Sequence, residues 1–142
     1  MERRDAPLWK PTSILRHAQA DGTSHFDWLL GVVAHCDNPH LLMARCFRCA
    51  LCPKWPIPSG SSAIQEIGMH RWFYLGLSKP YELSQGRGIV HPVARGMWRE
   101  AQGESIGADE ILEVLWSDSK DPRQLRITPA PDARVFEVDP VR

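Results

Sequence analysis

The sequence predicts an all-β protein, a small closed or partly open β-barrel with at most one or two short helices. Three observations lead there. Twelve prolines and ten glycines interrupt the chain often, which leaves little room for long helices. The segments between them are short, apolar and in several places alternating. Turn signals separate these segments at near-regular spacing. With 142 residues, 43% of them hydrophobic, one domain over residues 1–142 with a modest core is expected.

The elements follow in order. Residues 1–11 read as a loose lead-in, and "TSILRHA" as a first strand. "QADGTS" is a turn marked by Asp21-Gly22. "HFDWLLGVVAHC" reads as a second strand, with Gly31 as a possible bulge site. "NPHLLMARCFRCALCP" supplies one or two strands, and "KWPIPSGSSA" is a loop. "MHRWFYLGL" is an aromatic-rich strand, followed by the turn region "SKPYELSQGRG". "GIVHPVARG" is a strand broken at its proline. "GADEILEVLWSDS" gives mixed signals: good helix formers allow a short helix near 108–116, yet Ile111, Glu113 and Leu115 alternate. "QLRITPA" and "ARVFEVDP" close the chain as strands.

Basic and acidic residues number 17 each, so no overall basic excess favours nucleic acid. A local patch near the middle of the chain would have to come from Arg16, Arg45, Arg48, Lys54, Arg71, Arg87, Arg95 and Arg99. No apolar run is long enough for a membrane span, and the N-terminus lacks a secretory h-region. A cytoplasmic protein is the expectation.

The polar residues around the first turn are the most informative. If "SHFDWLL" is a strand, His25, Asp27 and Leu29 share one face, and Phe26, Trp28 and Leu30 take the core face. His17 ends the preceding strand, so a hairpin would set it beside His25. Two imidazoles and a carboxylate form a mixed N/O ligand set suited to Mn, Zn or Fe(II). The same residues could also simply face solvent.

At this point "ILRHAQADGTSHFDWLL" resembles the opening motif of the 3′-phosphoesterase domain of bacterial ligase D. That motif is a strand ending in His, a turn, then His-Tyr-Asp and apolar residues. A second block, "MHRWFYLGLSKPYELSQGRGIVHPVARGMW", is similar to the family's later segment. His70, Tyr74, Gly86, Gly88, Val90, Arg95, Gly96 and Trp98 fall in step with it. Together the blocks span residues 12–99.

The resemblance implies a β-barrel with a metal and phosphate site that trims DNA 3′ ends. A terminal ribonucleoside is removed first, then the remaining 3′-phosphate, in DNA end repair. Mn2+ is the implied cofactor, with Zn2+ or Co2+ as substitutes. DNA 3′ ends or primer-templates are the implied partners, with separate ligase, polymerase or end-joining proteins beside them. Carried over by position, His17, His25 and Asp27 would hold the metal. His70 and Tyr74 would contact phosphate or assist proton transfer. Lys54, Arg71 and Arg87 would contact phosphate or DNA. Separately, six tryptophans invite base stacking, with Trp55 and Trp72 expected to flank the cleft. Three departures stand out. Leu29 occupies a position where the family often has Arg. The turn before His25 is slightly longer. Gly68 and Met69 replace an acidic residue before His70, with Glu66 the nearest carboxylate.

Two other readings remain open. One is a barrel that binds DNA ends or a repair partner without turnover. The other is a zinc or iron–sulfur module on Cys36, Cys46, Cys49 and Cys52. Against it, no cysteine follows Cys52-Pro53. In a strand Cys49 would point away from Cys46 and Cys52, so the cysteines read better as small hydrophobes.

Overall fold

A computed structural model describes residues 8–55, 62–101, 109–129 and the backbone of 135–140. The protein is all-β. Its strands are β1 (Lys10–Ala18), β2 (Ser24–Gly31), β3 (Leu42–Cys49), β4 (Ser62–Arg71), β5 (Tyr81–Glu82), β6 (Ile89–Glu100), β7 (Glu110–Trp116), β8 (Arg123–Pro129) and β9 (Val135–Pro140). The helical segments among the described residues are two 3-10 turns, Trp72–Gly76 and Ser84–Gly86. None is long and apolar enough to cross a membrane.

The strands form one sheet in the order β1-β2-β3-β4-β9-β8-β7-β6-β5, and an additional β1–β6 pairing curls it back on itself. The barrel is partly open. β9 pairs only with Ser62–Gln65 of β4, and β7 only with Gly96–Glu100 of β6. The remaining half of β4 stays paired with β3 alone, and that of β6 with β1 and β5.

Strand alternation builds two cores from the same strands. Ile14, Trp28, Leu30, Phe47 and Cys49 join Trp98, Leu112, Val114, Leu125 and Ile127 in one cluster. Leu15, Leu29, Ala44 and Cys46 point the other way and meet Leu75, Leu83 and Val90. Two buried polar groups beside the first core are paired: Trp28 Nε1 donates to Thr12 Oγ1 at 3.0 Å, and Thr12 Oγ1 donates to the Leu29 carbonyl at 2.7 Å. The second cluster is the floor on which the site is built.

Several local expectations change. β1 begins at Lys10, so Lys10 and Pro11 belong to a strand rather than to the lead-in; Pro11 sits opposite Met97. Residues 1–7 of that lead-in lie outside the described residues. β2 stops at Gly31 instead of reaching Cys36, and its pairing with β3 runs without a bulge. Gly31 serves close packing: a Cβ there would meet Pro11 and the Trp72 ring at 3.0–3.2 Å. The segment 38–53 holds one strand, β3. Ser62 and Ala63 belong to β4, not to the preceding loop. β6 is continuous through Pro92 because the register slips by one residue opposite the Ile14–Leu15 step, which absorbs Val93 and the missing N–H. Glu110–Trp116 is a strand and not a helix, since Leu112, Val114 and Trp116 must all face the core.

Arg45 ties the closed end together. Its guanidinium donates to both oxygens of Glu66 on β4 (3.0 and 3.2 Å) and of Glu110 on β7 (2.8 and 3.0 Å). β3 and β7 are not sheet neighbours, so this fork spans the barrel. Arg45→Met is expected to lower stability by about 1–2 kcal/mol in chemical denaturation, because two partly buried carboxylates lose their donors. No change in m-value should accompany it.

Candidate metal centre and its cleft

The β1–β2 hairpin aligns His17 with His25 and Leu15 with Asp27. The turn between them is held by the Gln19 N–H on the Thr23 carbonyl (2.9 Å) and by Asp21, whose carboxylate accepts from Thr23. That hydrogen bonding lowers the Asp21 pKa from the usual carboxylate range. The extra turn length is thus absorbed locally, and the two histidines remain in register.

His17, His25 and Asp27 bring three ligand atoms within 4.8 Å of one another. His25 Nε2 lies 3.1 Å from Asp27 Oδ1, and His17 Nδ1 lies 3.9 Å from Asp27 Oδ2. The two imidazoles meet edge to face at 4.9 Å. Asp27 is only 5% exposed. Asp27 Oδ1 and His25 Nε2 are both buried without a hydrogen-bond partner among the described residues. Lying 3.1 Å apart without an aligned hydrogen bond, these buried N and O atoms suit ligation of a divalent cation.

The tautomers suit ligation. His17 Nε2–H donates to the Arg87 carbonyl at 2.7 Å, which leaves the Nδ1 lone pair toward Asp27. Burial, the largest influence, lowers the His25 pKa, and the Arg48 and His17 charges add to this against the pull of Asp27. His25 therefore favours the neutral form that a metal ligand requires.

His70 reaches the same face by an irregularity in β4. Cys46 pairs with Ile67 and Ala44 with His70, so β4 carries one extra residue between them, at Gly68–Met69. Strict alternation from Ile67 would turn His70 away, and the bulge restores it. Its Nδ1–H donates to the Gly68 carbonyl at 2.8 Å, which leaves Nε2 unprotonated in the neutral ring. The strand expected through Trp72 and Tyr74 gives way to a 3-10 turn. The Trp72 and Phe73 amides there bond the Leu41 and Pro39 carbonyls at 2.9 and 3.0 Å. The turn folds Tyr74 back toward His70, ring centroids 6.1 Å apart.

These elements enclose an open cleft of about 780 Å³. His17, His70, Tyr74, Arg71 and Arg87 line it, as the sequence reading placed them. Arg48 and Tyr81 also line it and were not among the expected site residues. Arg48 sits directly across from Asp27 in the β2–β3 ladder. The β2–β3 register was the signal that would have found it.

Other basic residues are engaged elsewhere. Lys54 does not line the cleft: it is ion-paired with Asp118 and stacks on Trp55 at 4.5 Å from the ring centroid. Trp55 follows it, and Trp72 packs against the second core, so neither flanks the cleft as expected. Arg45 is held by Glu66 and Glu110, and Arg99 by Glu113. Arg95 lines a different cleft. Arg48, Arg71 and Arg87 thus concentrate positive charge in one place within a chain of zero net charge.

Leu29, where the resemblance would place an arginine, is fully buried in the second core. A guanidinium there would be buried among apolar side chains, whereas Arg48, across from Asp27 on β3, lines the cleft. Among the described residues, two groups bring ligand atoms within 4.8 Å, and neither contains more than one cysteine. Cys46 lies in the second core, while Cys49 and Cys52 lie in the first. Cys52 thus joins Cys49 rather than Cys46, because β3 ends at Cys49 and the chain turns. Comparison with protein-family models, curated proteins and solved structures finds no match to this chain.

Proposed function

We propose that this protein is a divalent-metal-dependent phosphoesterase that trims DNA 3′ ends, removing a terminal ribonucleoside and then a 3′-phosphate. One observation carries the reading: a largely buried His2Asp ligand set reaches, through His17, a cleft also lined by three arginines, His70, Tyr74 and Tyr81. The resemblance of residues 12–99 to the ligase D phosphoesterase domain supports it.

His17, His25 and Asp27 would hold the ion; the resemblance points to Mn2+, and two imidazoles with a carboxylate also suit Zn2+ or Fe(II). When bound, such an ion supplies charge stabilisation at a phosphate oxygen and an acidified water. The side chains do the rest. Arg48, Arg71 and Arg87 bind and orient the phosphate through guanidinium forks. His70 Nε2 faces the cleft with its ring held by Gly68, placed to hold or deliver a proton at the departing oxygen. Tyr74, beside His70, offers a hydroxyl to the same phosphate. Arg48→Ala is expected to lower cleavage about 100-fold with metal binding retained, because it removes an oxyanion partner and no ligand.

The test is a labelled primer ending in a ribonucleotide. It should be shortened in Mn2+, remain intact in EDTA, and end in a 3′-OH. A primer left intact across divalent metals and pH would overturn the assignment. Binding of that intact primer would then favour the non-catalytic DNA-end barrel.

A further inference from the structure

We propose that Asp27, Cys46 and His70 form a second ligand set, sharing Asp27 with the first, that takes a thiophilic divalent cation such as Zn2+, Co2+ or Cd2+. The proposal rests on reading this cleft as a metal site and adds to it a sulfur donor.

The geometry is specific. Ligand atoms of these three residues lie within 4.8 Å of one another. They come from three adjacent strands, β2, β3 and β4, and the bulge at Gly68–Met69 brings His70 to the Cys46 side. Asp27 Oδ1 is buried and without a hydrogen bond among the described residues. His70 is anchored through Nδ1, so its free Nε2 is the donor atom. Cys46 is fully buried and forms no disulfide. Among the described residues no other cysteine belongs to such a group, and Cys49 and Cys52 pack in the other core.

The chemistry separates the two sets. His17, His25 and Asp27 offer only nitrogen and oxygen, which Mn2+ accepts. Exchanging an imidazole for a thiolate shifts preference toward softer ions. Binding requires the Cys46 proton to leave to solvent as the metal–sulfur bond forms. Asp27 is common to both sets, and His70 engaged by an ion no longer serves a phosphate. A thiophilic ion therefore occupies the cleft in a form that suppresses the Mn2+-supported reaction.

The experiment is titration of the full chain with Co2+, followed by absorption. The expected result is a near-ultraviolet sulfur-to-cobalt charge-transfer band that Cys46→Ser removes and that Cys49→Ser and His17→Ala retain. Absence of the band in wild type, or its survival in Cys46→Ser, overturns the proposal. Cadmium NMR on the wild-type protein needs no variant. A resonance shifted downfield by sulfur supports the second set, and one in the nitrogen/oxygen range refutes it. Failure here leaves Mn2+-dependent primer cleavage untouched. Conversely, a thiolate band in a protein that cleaves nothing keeps the ligand set and removes only the enzyme.

Discussion

Asp27→Ala is expected to abolish metal binding while leaving the metal-free fold at least as stable as wild type. Asp27 belongs to both ligand sets, so its loss removes the shared donor from each. Affinity should fall by more than about 100-fold, beyond the effect of losing a supporting contact. Cleavage should fall about 1,000-fold or more. Stability moves the other way. In the metal-free protein Asp27 is a nearly buried carboxylate with one oxygen unsatisfied, and alanine removes that cost. Wild type at saturating Mn2+ should gain about 2–3 kcal/mol when the metal stands near 100 times its Kd. Thermal melts with and without Mn2+ check both signs: the wild-type transition rises with metal, and the Asp27→Ala transition does not. A variant that melts well below metal-free wild type would show that Asp27 serves the fold instead.

Gly88→Ala is expected to be the most damaging small substitution near the site. Gly88 adopts φ +102°, a conformation that costs an L-residue about 1–3 kcal/mol. Its added Cβ would also collide with the Ala18 carbonyl at the end of β1. The combined cost should be about 2–4 kcal/mol, measured by urea denaturation. The neighbouring Arg87 carbonyl orients His17 at 2.7 Å, so displacement of this turn also releases that imidazole. Mn2+ affinity should fall about 10- to 100-fold, as for loss of a partner that orients a ligand. Gly86, also at positive φ but with open space around the Cβ position, should lose stability from the backbone term alone when changed to alanine. Comparing the two variants separates steric contact from backbone strain.

Local pattern carried much of the fold. Alternation in "SHFDWLL" alone assigned Asp27 and Trp28 to opposite faces, and the Asp21-Gly22 turn set His17 against His25. What local pattern could not show was set by contacts distant in sequence. Helix formers in Glu110–Trp116 yield to strand because Leu112, Val114 and Trp116 complete a core begun on β1 and β2. Pro92 stays within β6 because the register slips opposite Ile14–Leu15. His70 lines the cleft because of a bulge in β4 that no local pattern announces. Lys54 was drawn elsewhere by Asp118, a partner 64 residues away. Arg48 and Cys46 entered the site through the β2–β3 register, which pairs them with Asp27 and Leu29. Zero net charge, finally, said nothing of distribution: carboxylates neutralise Arg45, Lys54 and Arg99, while Arg48, Arg71 and Arg87 line the cleft.

The central claim is that His17, His25 and Asp27 hold a metal ion in this cleft. Elemental analysis of purified protein, dialysed after exposure to Mn2+, tests it most directly. The account predicts stoichiometric Mn that is lost in His25→Ala and kept in Cys49→Ser. Mn retained in His25→Ala and lost in Cys49→Ser would contradict it.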